Sequence, residues 1–160
     1  MIRTSVVGVL LSLASATSAV AWQQPSRVAV AVPSAGSSDR SLKPAADRLT
    51  AALRATIAQT GYFELYDTAL TRKSAAGGDD QRLVSRLPTR YVCLASVAPA
   101  IPGWAQATIA FVDAPFKDPV VRLSSPVLLR SDSTFVAIAR LAWTRLAKAD
   151  RKRLDSLRTR

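Results

Sequence analysis

The order in which apolar patterns follow one another is the feature that most constrains the fold of this chain. A β-branched, alternating run extends from Arg27 to Val32 and is stopped by Pro33, which predicts a strand. A helical pattern follows it, and residues 62–67 then alternate again and predict a second strand. Because a helix joins these two strands, they are expected to lie parallel in one sheet.

The helical segment between the two strands carries its own boundary signals. Pro44 lies in the first turn, where its missing N–H removes no helical hydrogen bond. Gly61 follows the last turn and predicts a left-handed cap. The apolar residues recur three and four positions apart, which is the spacing of one buried helix face: Leu42, Ala45, Ala46, Leu49, Leu53 and Ile57.

The second half of the chain predicts three consecutive strands. Residues 90–98 are apolar on both faces, which is typical of a strand in the middle of a covered sheet. Residues 104–113 alternate, and residues 120–129 form the last strand of this meander. Pro126 favours an edge position for that last strand, because proline cannot donate to the strand ladder.

A final amphipathic helix and a weaker segment complete the fold prediction. Ser131, Asp132 and Ser133 are N-cap residues in front of that helix, and residues 68–87 predict only short helical turns and loop. The buried stripe of the final helix is expected to consist of Phe135, Ile138, Ala139, Ala142 and Leu146, with Trp143 beside it. The fold class is therefore α/β (α+β), a two-layer sandwich. We expect a mixed sheet of about five strands with two long helices on one face, in the order β-α-β-(short α)-β-β-β-α.

The chain opens on the pattern of an export signal. Arg3 supplies a positive start, residues 6–13 are apolar, and Ala19-Val20-Ala21 offers a small-x-small cleavage site. A membrane anchor is the alternative, but a spanning helix needs about 20 predominantly apolar residues. We therefore expect a signal peptide over residues 1–21, a single domain over 22–149, and a basic helical end or tail over 150–160. Cleavage after Ala21 would place the protein in the periplasm or outside the cell.

Composition excludes several kinds of chemistry. The chain has no histidine and one cysteine, so a Ser-His-Asp triad or a Cys-His catalytic pair is impossible within it and a tetrahedral zinc site is not expected. Cys93 lies in a strand and is expected to be a small buried apolar residue. A hydrolase that uses two carboxylates needs them to face each other across a cleft, and no pair of acids is placed in that way. We expect no catalytic residue, no metal and no cofactor.

The positive charge is concentrated at the end of the chain. The formal net charge is +11, and the candidate contacts for an anionic lipid or polymer are Arg145, Lys148, Arg151, Lys152, Arg153, Arg158 and Arg160. The alternative for this run is a solvated helix end. No nucleic acid partner is expected for an exported protein.

Three stretches resemble one family of bacterial envelope domains. They are the opening strand Arg27-Val28-Ala29-Val30-Ala31-Val32-Pro33, the segment Leu49 to Leu53 with Gly61 to Leu65, and the strand end Phe111-Val112-Asp113-Ala114. These resemble the amino-terminal domain of TolB and its relatives, which include the curli secretion channel lipoprotein and the lipoprotein activators of penicillin-binding proteins. The resemblance implies a binding or assembly module rather than an enzyme.

Two functions follow from these observations. The first is a non-enzymatic, exported protein-interaction or assembly module of the bacterial cell envelope, with an envelope protein as its partner. Trp104 and Phe116, together with Trp22, are its candidate partner contacts; core packing is the alternative for these side chains. The second function is a binder of the anionic envelope surface, lipid or polymer, through the basic C-terminal helix.

Overall fold

The computed structural model describes residues 27–66, 84 and 87–159, and the elements in this part of the chain have the predicted order. The strands and helices are β1 (Val28–Ala31), β2 (Gly36–Ser37), α1 (Lys43–Ile57), β3 (Phe63–Tyr66), β4 (Tyr91–Pro99), β5 (Trp104–Asp113), β6 (Asp118–Leu128) and α2 (Asp132–Arg158). A mixed sheet and two long helices form a two-layer sandwich, so the predicted fold class is confirmed.

The sheet has the order β3-β1-β4-β5-β6. Strand β1 pairs in parallel with β3, with Val28 opposite Phe63, as the helix between them predicted. It also pairs in parallel with β4, whereas β4, β5 and β6 are antiparallel neighbours. Strand β4 is therefore central, which explains why both of its faces are apolar.

Two local features follow from single residues. Gly61 has a φ of 62° and gives the left-handed turn between α1 and β3. Strand β6, which contains Pro126, lies at an edge of the sheet and pairs with β5 only, within the described residues. Both predictions from these residues are confirmed.

Strand β2 is the element that the sequence did not predict. Its two residues, Gly36 and Ser37, pair in parallel with Ser96 and Val97 of β4. Strands β1 and β2 therefore pair with successive parts of the same side of β4. The helical turns expected between residues 68 and 87 lie almost entirely outside the described residues.

The main core lies between the sheet and the two helices. Every residue predicted for the buried faces of α1 and α2 is buried, and Trp143, with 1% of its surface exposed, packs against the rings of Phe63 and Phe111 at centroid distances of 5.7 and 4.9 Å. Cys93 is fully buried in this core as expected, and burial raises the pKa of its thiol.

A smaller core covers part of the opposite face of the sheet. Val92 of β4 and Ala31 of β1 pack there with Val84, Leu87 and Ala114. Within the described residues, no helix is both long enough and apolar enough to cross a membrane.

Candidate functional site

Helix α2 contains a buried acid, Asp150, which faces the end of the sheet. Only 4% of this residue is exposed, and its carboxylate accepts hydrogen bonds from the hydroxyls of Tyr62 and Tyr91. Tyr62 lies between α1 and β3, and Tyr91 begins the central strand β4. Asp150 therefore joins α2 to the sheet.

This environment raises the pKa of both tyrosines. Burial raises the pKa of Tyr62 and the pKa of Tyr91 to about 12, and the hydrogen bonds to Asp150 add to the effect because they need the protonated hydroxyls. The acid and the two phenols form one hydrogen-bonded unit.

This unit predicts a loss of stability in alkaline solution. An unfolded tyrosine ionises near pH 10, whereas Tyr62 and Tyr91 stay protonated to about pH 12 in the folded protein. Their contribution is therefore complete below pH 10 and is lost as the pH rises from 10 through 12. Urea unfolding at a series of pH values should show a steeper decline for the wild type than for a Tyr62→Phe/Tyr91→Phe variant. Equal slopes for the two proteins would contradict this assignment.

A second buried acid, Asp113, lies at the end of β5. It is fully buried, its Oδ2 lies 3.5 Å from Nη2 of Arg90, and the guanidinium of Arg153 contacts the same oxygen. Its Oδ1 has no hydrogen-bond partner among the described residues. Arg153 also lies over the ring of Phe116, 4.9 Å from the centroid. Asp113 is therefore a second link between α2 and the sheet.

The sequence pattern did not single out these two acids. Asp150 follows Leu146 by four positions and so continues the buried stripe of α2 at a place where the pattern was expected to end. Asp113 was seen only as part of the strand end Val112-Asp113-Ala114. The helical period places position 150 in the core, so an acid at that position was the signal that could have predicted a buried carboxylate. Within the described residues, no group of three or more acid or cysteine side chains could hold a metal ion.

The predicted cationic contacts do not share one environment. Five are exposed on α2, namely Arg145, Lys148, Arg151, Lys152 and Arg158. Arg153 is half-buried on Asp113, and Arg160 lies outside the described residues. The guanidinium of Arg151 lies 5.7 Å from the ring centroid of Tyr62. Helix α2 continues through the basic segment to Arg158.

A groove of about 540 Å³ runs between the end of α1 and the middle of α2. We call it the interhelix groove. It is lined by Thr56, Gln59, Thr60, Arg140, Trp143, Thr144, Ala147, Lys148 and Arg151. Three of them are cations and none is an acid. The groove brings Arg140, which lies outside the basic run that the sequence singled out, onto the same surface as two residues of that run.

The two predicted partner contacts lie at opposite ends of the sheet. Trp104 begins β5 and is 37% exposed, and its backbone N–H donates to the carbonyl oxygen of Ile101. Phe116 lies in the turn between β5 and β6 and is 60% exposed. Trp22 lies outside the described residues.

The fold and these surfaces define a two-layer α/β domain with structural acids and an exposed cationic groove. No protein-family model matches the chain, and no curated protein matches it significantly. Among solved structures, the PelC dodecamer from Paraburkholderia phytofirmans is 14% identical with a TM-score of 0.51, and the match covers 75% of this chain and 88% of that one. Protein XCC0632 from Xanthomonas campestris, of the DUF330 family model, is 10% identical with a TM-score of 0.51, covering 84% and 92%.

TolB from Acinetobacter baumannii is also similar in structure. It is 12% identical with a TM-score of 0.47, and the match covers 78% of this chain but 28% of TolB. Identities this low show the fold alone. The PelC and XCC0632 structures share the fold of this chain.

Proposed function

We propose that this chain is a non-enzymatic, exported protein-interaction or assembly module of the bacterial cell envelope. The observation that carries the proposal is the use of both buried acids, Asp113 and Asp150, as links between α2 and the sheet. Their carboxylates face arginine and tyrosine side chains of this chain rather than each other across a cleft. The surface is then the part of the molecule that makes functional contacts.

The fold supports an assembly role. PelC, which shares it, was crystallised as a dodecamer, so this layer arrangement can serve as a unit of a larger protein assembly. The signal-like segment 1–21 would deliver such a unit to the periplasm or beyond. Residues 22–149 would then be the working domain, with the basic end of α2 following it.

One edge of the sheet is a poor template for an added strand. Strand β6 carries Pro119 and Pro126, which cannot donate backbone hydrogen bonds. Trp104 and Phe116 are large, exposed aromatic side chains of the kind that anchor protein interfaces.

Recovery of a partner from crosslinked envelope fractions tests this proposal. We expect a tagged wild-type chain to retain a specific envelope protein, and a Trp104→Ala/Phe116→Ala variant to retain at least about tenfold less, because tenfold corresponds to about 1.4 kcal/mol and the loss of even one interface anchor costs about 2 kcal/mol. The control is Leu141→Ala, which removes from the outer face of α2 an apolar side chain whose exposure lies between those of Trp104 and Phe116. Recovery of no protein partner by the wild type would contradict the proposal.

The second candidate function, contact with the anionic envelope surface, has one observation in its favour. Five of the seven cations proposed for it are exposed along α2. Such contacts would weaken as salt rises, because exposed charges are screened.

A further inference from the structure

We propose that the interhelix groove binds an acidic oligosaccharide. This inference narrows the second candidate function to one site and one ligand class, and it does not depend on docking of a protein partner. It is carried by the charge, the hydrogen-bonding pattern and the shape of the groove.

The charge of the groove selects an anion. Arg140, Lys148 and Arg151 line it without any acid, and none of the three forms a salt bridge with a described residue. Other cations of the chain do have carboxylate partners, as Arg90 and Arg153 have in Asp113. The groove cations are therefore available to negative groups of a ligand.

The spacing of these cations selects an extended ligand. Lys148 follows Arg140 by eight positions, which corresponds to about 12 Å along a helix of 1.5 Å rise per residue. Arg151 follows Lys148 by one turn, so these two can hold one acidic group together. A single small anion cannot reach both ends of this row, whereas a chain with several acidic groups can.

One hydroxyl in the groove favours a sugar over a bare phosphate polymer. Thr60 Oγ1 is fully used within the chain, since it donates to the carbonyl oxygen of Ile57 and accepts from the backbone N–H groups of Tyr62 and Phe63. Thr144 Oγ1 donates its proton to the carbonyl oxygen of Arg140 at 2.9 Å, and its oxygen accepts from no described residue, so it can accept from a ligand. A sugar hydroxyl can donate to this acceptor, and a polymer that offers only phosphate oxygens cannot.

The shape of the groove separates a chain-like ligand from a flat membrane. Trp143 and Ala147 form the floor between the two helices, and Trp143 is 1% exposed. A bilayer surface would reach the cations at the rim without entering the concave floor. The volume of about 540 Å³ falls within the range of about 300–1,000 Å³ that is usual for ligand sites.

Titration of the purified protein with a short oligogalacturonate at low salt tests this site. We expect saturable binding, no binding of a neutral malto-oligosaccharide of the same length, and about a tenfold weaker affinity for an Arg140→Gln/Lys148→Gln variant, since two of the three groove cations are removed and each exposed ion pair contributes modestly. The control variant Arg122→Gln/Arg130→Gln removes the same charge from exposed positions elsewhere and should bind within about twofold of the wild type. Thermal unfolding of both variants checks that they are folded.

Three outcomes would overturn the inference. The first is the absence of oligogalacturonate binding at low salt. The second is an equal loss of affinity in the control variant, which would mean that overall charge and not the groove attracts the ligand. The third is tighter, groove-dependent binding of polyphosphate or of vesicles that contain anionic phospholipid, which would assign the groove to another ligand class. None of these outcomes changes the partner recovered from envelope fractions, so the two proposals fail separately.

Discussion

Replacement of Trp143 by alanine is expected to lower the free energy of unfolding by about 4 kcal/mol, the usual loss for a large buried aromatic residue. Trp143 is 1% exposed and lies at the meeting point of α1, α2 and the sheet. Its indole N–H donates to the carbonyl oxygen of Leu53 and to Oγ1 of Thr56, both at 3.1 Å. Alanine would leave a cavity and remove the donor together.

Urea unfolding followed by circular dichroism measures this loss. The Trp143→Phe variant keeps most of the ring volume and loses the N–H, so it should fall between alanine and the wild type. Leu141→Ala on the exposed side of the same helix should change the unfolding free energy by less than about 0.5 kcal/mol. An unchanged midpoint for Trp143→Ala would show that this residue does not join the two layers.

Replacement of Asp150 by alanine is expected to cost about 3 kcal/mol, because it leaves the fully buried hydroxyl of Tyr91 and the partly buried hydroxyl of Tyr62 without their acceptor. Asp150→Asn keeps one acceptor oxygen and should cost less. The loss of stability comes from the buried hydroxyls left without a hydrogen-bond acceptor as well as from the lost hydrogen bonds.

A double-mutant cycle separates these contributions. In the Tyr91→Phe background no buried hydroxyl remains at that position, so Asp150→Ala should cost at least about 1 kcal/mol less there than in the wild type. Chemical denaturation of the four proteins at pH 7 gives the coupling energy. Additive costs would contradict a direct link between Tyr91 and Asp150.

Local periodicity predicted the elements whose burial depends on their own pattern. The apolar spacing from Leu42 to Ile57 is the face that α1 buries, and the two apolar faces of residues 90–98 correspond to a central strand covered on both sides. Pro126 and Gly61 were informative because each allows few backbone environments. Strand β2 was missed because two residues carry no measurable alternation.

The candidate sites were harder to predict, because they are made by residues far apart in the chain. Asp150 meets Tyr62 across 88 positions and Asp113 meets Arg153 across 40. The interhelix groove needs the end of α1 to lie beside α2, which no run of neighbouring residues encodes. A basic run indicated where charge accumulates along the chain. The fold decides which cations pair with an acid of the chain, as Arg153 does with Asp113, and which cations line a groove.

The mature amino terminus of the protein in its own cell tests the central claim, an exported module of the envelope, most directly. Mass spectrometry of the chain isolated from periplasmic and culture fractions should find a form that begins at Trp22, the residue after the predicted cleavage site. A chain that begins at Met1 and stays in the cytoplasmic fraction would contradict the account.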